Sequence, residues 1–432
     1  MTCTHNDVHP TSLCYLLLRP HFLTSTAACA LVAELVDFPA AFGLDYAASL
    51  VAEFESASVC PPSVGGECAL GTDVLEDRQE EFECFAAALP HLVSMLLAPD
   101  GDRDAPDFPT PRSYVKWHDT LRTTLAALGF APSAADPSLF LRTDTTLPPF
   151  YVLVYVNDLV FATAEIEALA HVKSELQKRH MCTDLGELTS YLGLRITRDR
   201  AQRTITLTQS HMVQQVLQRF GFTYSSPQST PQPTGHSLSA PPSDESIEPS
   251  GPYPELVGCL MYLMTCTRPD LAYPLSILAR YVAPGRHRKE HMDAAKKVLH
   301  YLCITSGMGL VLGGWARVVF TGHADASWAD DLTTQQSSQD YAFSLGSGSV
   351  SWRSTRSSFV LSSSCEAEIY VGAMAAQELR WLTYLLTDLG EPPHSPPVLY
   401  VDNKAMIAFC EEHRLEHRTK HIALRYFLAG EL

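Results

Sequence analysis

The sequence predicts an α+β multidomain protein, and three observations support that expectation. Its 432 residues exceed what one hydrophobic core organises, so two to four domains are expected. Helix-period and strand-period stretches alternate along most of the chain. A Pro/Ser-rich stretch at 223–254, almost without apolar periodicity, separates them as a linker. With 46% hydrophobic and 18% charged residues, the chain has a sizeable core to bury.

Taken in order, residues 1–110 hold alanine-rich apolar stretches, acidic runs and a Pro/Asp-rich segment at 98–111, with no recognisable chemistry. Helical spacing begins near Tyr114 and passes through Trp117, Leu121, Leu125 and Leu128. Strands are expected from Phe150 to Thr163 and a helix from Glu165 to about His180. Two alternating strands follow between Leu192 and Leu207, joined by a polar turn at Asp199–Gln202. A helix through Val213, Val216 and Phe220 precedes the linker. Beyond it, a helical block from Tyr253 to about Cys303 is expected to break at Pro269, Pro274 and Pro284. From about Val318 the pattern alternates as an α/β domain does.

The net charge of −17 argues at first against a nucleic-acid partner, since phosphate binding needs basic surface. Residues 1–110, however, hold 17 of the 48 acidic side chains and only 3 of the 31 basic ones, so the acidity belongs to the N-terminal quarter. The 12 cysteines form no CxxC pair, a pattern of reduced thiols rather than of disulfides or zinc. No apolar run reaches the ~18–20 residues of a membrane span, and the first residues lack the basic cluster of a signal peptide. An intracellular location, cytoplasmic or nuclear, is expected.

Three acids carry the strongest chemical signal. Asp325 follows the apolar run 318–320, Glu368 sits just inside a helix that Ser362, Ser363 or Ser364 caps, and Asp402 ends the apolar strand 398–401. Three carboxylates gathered at strand ends and helix starts suit Mg2+ held for phosphodiester cleavage. Taken singly, each reads as a solvated surface acid. The surrounding words decide otherwise: Asp-Ala-Ser-Trp-Ala-Asp-Asp at 325–331, Gly-Ser-Val-Ser-Trp-Arg-Ser at 348–354, Leu-Ser-Ser-Ser-Cys-Glu-Ala-Glu at 361–368, Glu-Leu-Arg-Trp-Leu at 378–382, Asp-Asn-Lys-Ala at 402–405 and His-Arg-Thr-Lys-His-Ile at 417–422. In that order they resemble the ribonuclease H domain of copia-type retrotransposon Pol polyproteins. The resemblance implies an α/β ribonuclease H-like fold with a mixed five-stranded sheet. It also implies Asp325, Glu368 and Asp402 as catalytic, metal-binding residues, Mg2+ (or Mn2+) as cofactor, and an RNA–DNA hybrid as partner. Glu366 competes with Glu368, but residues two apart on a helix face nearly opposite sides. The related nucleases place their acid immediately before a run like Ile-Tyr-Val-Gly-Ala, which selects Glu368. Ala423 stands where the family commonly has a fourth acid.

Upstream, Tyr155-Val156-Asn157-Asp158 lies between two apolar strands and resembles the metal-binding hairpin of reverse transcriptases. Asp184-Leu185-Gly186-Glu187-Leu188, Tyr191-Leu192-Gly193-Leu194 and Thr267-Arg268-Pro269-Asp270-Leu271-Ala272 resemble the same family. The usual hairpin has two adjacent aspartates, so Asn157 and Asp158 form a degenerate polymerase site. No upstream aspartate-bearing strand is found, which implies an internal deletion near 113–115. The expected organisation is an acidic remnant at 1–112, a truncated reverse-transcriptase palm at 113–222, a linker at 223–254, a helical connection at 255–315 and a ribonuclease H-like domain at 316–432.

Other candidates are weaker. His287 and His291 are spaced as a zinc-binding pair without an evident third ligand. Arg286, Arg288, Lys289, Lys296 and Lys297 around them form a candidate nucleic-acid face. Trp328, Trp352 and Trp381 suit base stacking, with core packing the expected role of at least two. The function implied is RNA-directed DNA polymerase with hybrid-specific ribonuclease, the polymerase inactive and a Mg2+-dependent ribonuclease H activity retained. The alternative is a non-catalytic relic that at most binds nucleic acid.

Overall fold

The computed structural model describes residues 111–155, 158–222, 228–231, 238, 252–282, 286–314, 319–331, 333–393, 395–404 and 406–407. The expected acidic remnant, most of the linker, Asn157, Ala423 and the 417–422 motif lie outside the described residues. Among the described residues are three four-stranded sheets and a set of helices, a mixed α/β arrangement.

The first sheet, β1 (Phe130–Pro132), β2 (Leu139–Arg142), β3 (Phe150–Tyr155) and β4 (Asp158–Thr163), is antiparallel in chain order. Strand β3 is buried over five of its six residues because both faces are covered. Phe150, Val152 and Val154 meet Leu121 and Leu125 of helix α1 (Pro111–Ala127) and Leu169, Val172 and Leu176 of α2 (Ile166–Arg179). Tyr151 and Leu153, one residue out of phase, face a central core instead.

The second sheet joins distant segments. Strands β5 (Ser190–Tyr191), β6 (Leu194–Asp199) and β7 (Thr204–Thr208) precede helix α3 (Ser210–Arg219), yet the fourth strand, β8 (Gly309–Gly313), follows the helical block. That block contains α4 (Tyr253–Cys266), a 3-10 turn at Pro269–Leu271, α5 (Ala272–Leu278), a second turn at Ala279–Tyr281 and α6 (Lys289–Thr305). Pro274, an expected break, lies within the first turn of α5. Proline is tolerated there, since first-turn N–H groups have no intrahelical partner to lose.

The third sheet has the order β11 (Gly348–Arg356), β10 (Ser338–Leu345), β9 (Phe320–Ser327), β12 (Val398–Tyr400). The first three strands are antiparallel; β12 runs parallel to β9 after the 25-residue helix α7 (Ser364–Asp388). Four strands are present among the described residues, against the five expected.

Inward side chains of all three sheets and of α7 meet in the central core: Tyr151 and Leu153, Ile196 and Leu207, Phe343 and Leu345, Leu382 and Leu386. Polar contacts lock the same junction. The Tyr151 hydroxyl donates to the Leu389 carbonyl (2.6 Å), and the Trp381 indole to the Ala135 carbonyl (2.9 Å). Trp352 donates to the Met264 carbonyl (3.1 Å). Trp328 likewise donates to the Leu361 carbonyl (2.9 Å) but remains half exposed. No described helix is long and apolar enough to cross a membrane.

Candidate metal centre

Each of the three acids reaches the centre from a different element. Asp325 lies inside β9, paired across the ladder with Asp340 of β10. It therefore stands two residues short of the strand's end, which the sequence did not resolve. Asp402 lies two residues beyond β12, where the parallel strand hands over to the next segment. Glu368 is in the second turn of α7 and points back toward the sheet.

One carboxylate oxygen from each of the three lies within 4.8 Å of the others. Among the described residues this is the one group of three metal-capable side chains brought so close. Asp325 and Asp402 are exposed, but Glu368 is only 6% exposed. Its Oε2 is buried without a hydrogen-bond partner. A buried, unpartnered carboxylate oxygen is costly and wants a cation or a proton. Burial first, then the neighbouring Asp325 and Asp402 carboxylates, push the Glu368 carboxyl up to about 7, against a hydrogen bond from the Ala326 N–H that pulls it down. The donor set is all carboxylate oxygen, which fits a hard divalent cation such as Mg2+ or Mn2+.

Glu366 has other work. Ser363 caps α7, its hydroxyl accepting from the Glu366 N–H (3.1 Å), while the Glu366 carboxylate accepts from the Ser362 N–H (2.8 Å) and hydroxyl (2.6 Å). This reciprocal cap turns Glu366 away from the centre. Of the three serines considered, Ser363 is the N-cap.

Asp340 was not reached from the sequence. Pairing across β9 and β10 puts it on the same sheet face as Asp325, and one of its oxygens is buried without a partner. Burial and the nearby Asp325 and Asp330 push it up to about 6, with a Ser354 hydrogen bond opposing. An acid placed in the stretch 338–345, where every second residue is buried, was the available signal.

The remaining candidates fall elsewhere. Asp158 opens β4 opposite Tyr155, half-buried at the hairpin turn. His291 is fully buried, its Nδ1 accepting from the Arg288 N–H (3.1 Å) and its ring tilted against Tyr281 at 4.2 Å. His287 stacks on Tyr253 at 4.9 Å. Both histidines are packing pieces around α6. Arg286 and Lys289 are exposed; Arg288 caps α6, Lys296 pairs with Asp293 at 3.8 Å, and Lys297 is half-buried.

Residues 111–234 match the family model described as "Reverse transcriptase (RNA-dependent DNA polymerase)". The chain is 30% identical over 396 residues to the "Retrovirus-related Pol polyprotein from transposon TNT 1-94" of Nicotiana tabacum, an alignment covering 90% of this chain and 28% of that one. Two Arabidopsis thaliana relatives, the "Retrovirus-related Pol polyprotein from transposon RE2" and that from transposon RE1, are each 32% identical. Their alignments cover 75% and 72% of this chain, and 22% and 21% of the relatives. The chain thus spans about a quarter of the length of these relatives. No solved structure matches it.

Proposed function

Because the chain belongs to the copia-type retrotransposon Pol polyproteins, we propose that its last segment is a ribonuclease H-like unit that cuts the RNA strand of RNA–DNA hybrids at Asp325, Glu368 and Asp402. The observation that carries this reading is the convergence of three carboxylates, from a strand, a helix and a strand exit, within 4.8 Å. A mixed sheet with β12 parallel to β9 and a helix crossing between β11 and β12 supports it.

Mg2+ or Mn2+ bound there supplies the positive charge that activates water and stabilises the charge developing on the phosphodiester. The chain's own residues divide the remaining work. Glu368, buried at the base, fixes the depth of the centre through its hydrogen bond from the β9 backbone. Asp325 and Asp402, exposed above it, would hold the cation on the open side from which a phosphodiester approaches. Residues 316–432 form this unit in our reading, with 113–222 as the reverse-transcriptase remnant and 255–315 connecting them.

Polymerase chemistry is not proposed for this chain. Asp158 is the single carboxylate at the hairpin turn, and Asn157 offers a neutral amide where anionic oxygen is needed. A 5′-labelled RNA strand annealed to DNA, incubated with the protein and Mg2+ or Mn2+, tests the reading. Cleavage that EDTA and Asp325→Asn abolish is expected. An uncut strand with either ion leaves a non-catalytic protein that at most binds nucleic acid, and cleavage unchanged in Asp325→Asn removes the centre from the reaction.

A further inference from the structure

Strand β9 ends two residues after Asp325, and the chain returns as β10 at Ser338. Between them Ala329 and Gln335 both take left-handed backbone angles, with φ of 52° and 56°. A residue with a Cβ is costly there, so such a turn persists only where its surroundings fix it. Two aspartates supply much of that restraint. Asp330 accepts from the Ser338 N–H and hydroxyl, both at 2.6 Å. Asp331, only 7% exposed, accepts at Oδ1 from the Thr333 and Thr334 N–H groups, both at 3.0 Å. Its Oδ2 accepts from Arg356 of β11 (2.8 Å) and from Arg280 (3.1 Å).

Arg280 belongs to the helical block, not to the segment that carries the acids. It lies in the turn after α5, and its side chain is 10% exposed. One terminal nitrogen donates to Asp331, the other to the Ser338 hydroxyl (3.2 Å), and Nε to the Ser276 carbonyl (3.2 Å). Ser338 opens β10 opposite Ser327, and Asp340, two residues on, pairs with Asp325. A second contact runs beside the first: the Ser276 and Ser354 hydroxyls meet at 3.1 Å, and Ser354 hydrogen-bonds Asp340. The helical block thus holds both the turn that follows β9 and the strand paired with Asp325. We infer that Arg280 is a positioning residue of the nuclease, which fixes the end of β9 through Asp331 and Ser338 and so sets the direction of the Asp325 carboxylate. This rests on the nuclease reading above and extends it to a residue outside 316–432. A guanidinium suits the task, because its planar fork holds two acceptors at a fixed angle.

The test is steady-state cleavage of an RNA–DNA hybrid by the full chain and its variants, each checked for folding by its urea midpoint. Arg280→Gln is expected to lower kcat up to about a hundredfold, with KM within about twofold of the parent's. Arg280→Lys keeps the charge without the fork and is expected to lose about tenfold. Val298→Ala, which opens a cavity in the apolar core of the same helical block, is expected to lower the midpoint and keep the parent's kcat. A parent-like kcat in either folded Arg280 variant, or an equal loss of kcat in Val298→Ala, overturns the assignment. Cleavage by the parent then leaves the nuclease reading standing. A parent that cuts no hybrid overturns both.

Discussion

Glu368 concentrates the chemistry of the centre in one residue. Its carboxyl titrates near 7 in the fold against an ordinary value near 4.5. Below about pH 4.5 folded and unfolded chains are both protonated there, and the residue is neutral to stability. Between 4.5 and 7 the folded chain keeps a proton that the unfolded chain has released, so stability falls as pH rises through this window. Glu368→Gln is therefore expected to raise the melting temperature at pH 8 and to leave it close to the parent's at pH 4.5. Thermal melts at the two pH values check this, and an equal shift at both contradicts it. Asp325, Glu368 and Asp402 were legible in the sequence because their flanking words resemble a family. Asp340 was not, because its nearness to Asp325 arises only from strand register. Helical geometry required only that one of Glu366 and Glu368 face the centre, the resemblance pointed to Glu368, and the Ser363 cap supplies the physical reason for their different orientations.

At the scale of elements, the Thr267-Arg268-Pro269-Asp270 stretch illustrates how a motif can be structural. Arg268 is almost completely buried and donates to Asp270 (2.7 Å), to the Thr305 carbonyl (3.0 Å) and to the Thr305 hydroxyl (2.8 Å). Its guanidinium lies over the Tyr301 ring at 5.4 Å, and the Tyr301 hydroxyl donates to Asp270 at 2.8 Å. One planar cation thus pins the turn between α4 and α5 to the C-terminal end of α6. Arg268→Ala removes the guanidinium donor from the Thr305 carbonyl and leaves Asp270 with only the Tyr301 hydroxyl of this cluster, and is expected to cost about 3 kcal/mol, read from the urea midpoint. Arg268→Lys should recover little, since lysine lacks the planar fork. A midpoint unchanged in the alanine variant refutes the clamp. Periodicity located the flanking helices well, because their apolar faces repeat at helical spacing. It misread Pro274, whose effect depends on how many residues precede it in the helix.

For the molecule as a whole, the central core is the decisive feature. It draws Tyr151, Leu207, Phe343 and Leu386 from segments more than two hundred residues apart in the chain. Alternating patterns pointed to the strands at 150–163, within 192–207 and at 398–401, but not to β1, β2 or β8. The pairing of β8 with β7 and the donation from Tyr151 to Leu389 are long-range facts without a local signal. A shared core predicts shared protection. Limited proteolysis is expected to leave segments near 111–222 and 252–407 resistant together and co-purifying, even after cuts between them. Selective survival of 316–432 alone would contradict that coupling.

The proposed activity stands or falls with cation binding at the three carboxylates. Calorimetric titration of Mn2+ into the full chain at pH 8, where Glu368 is ionised, measures it most directly. The account predicts saturable binding that Glu368→Gln and Asp402→Asn each weaken at least tenfold. Binding that neither substitution changes, or no binding by the parent, would contradict it.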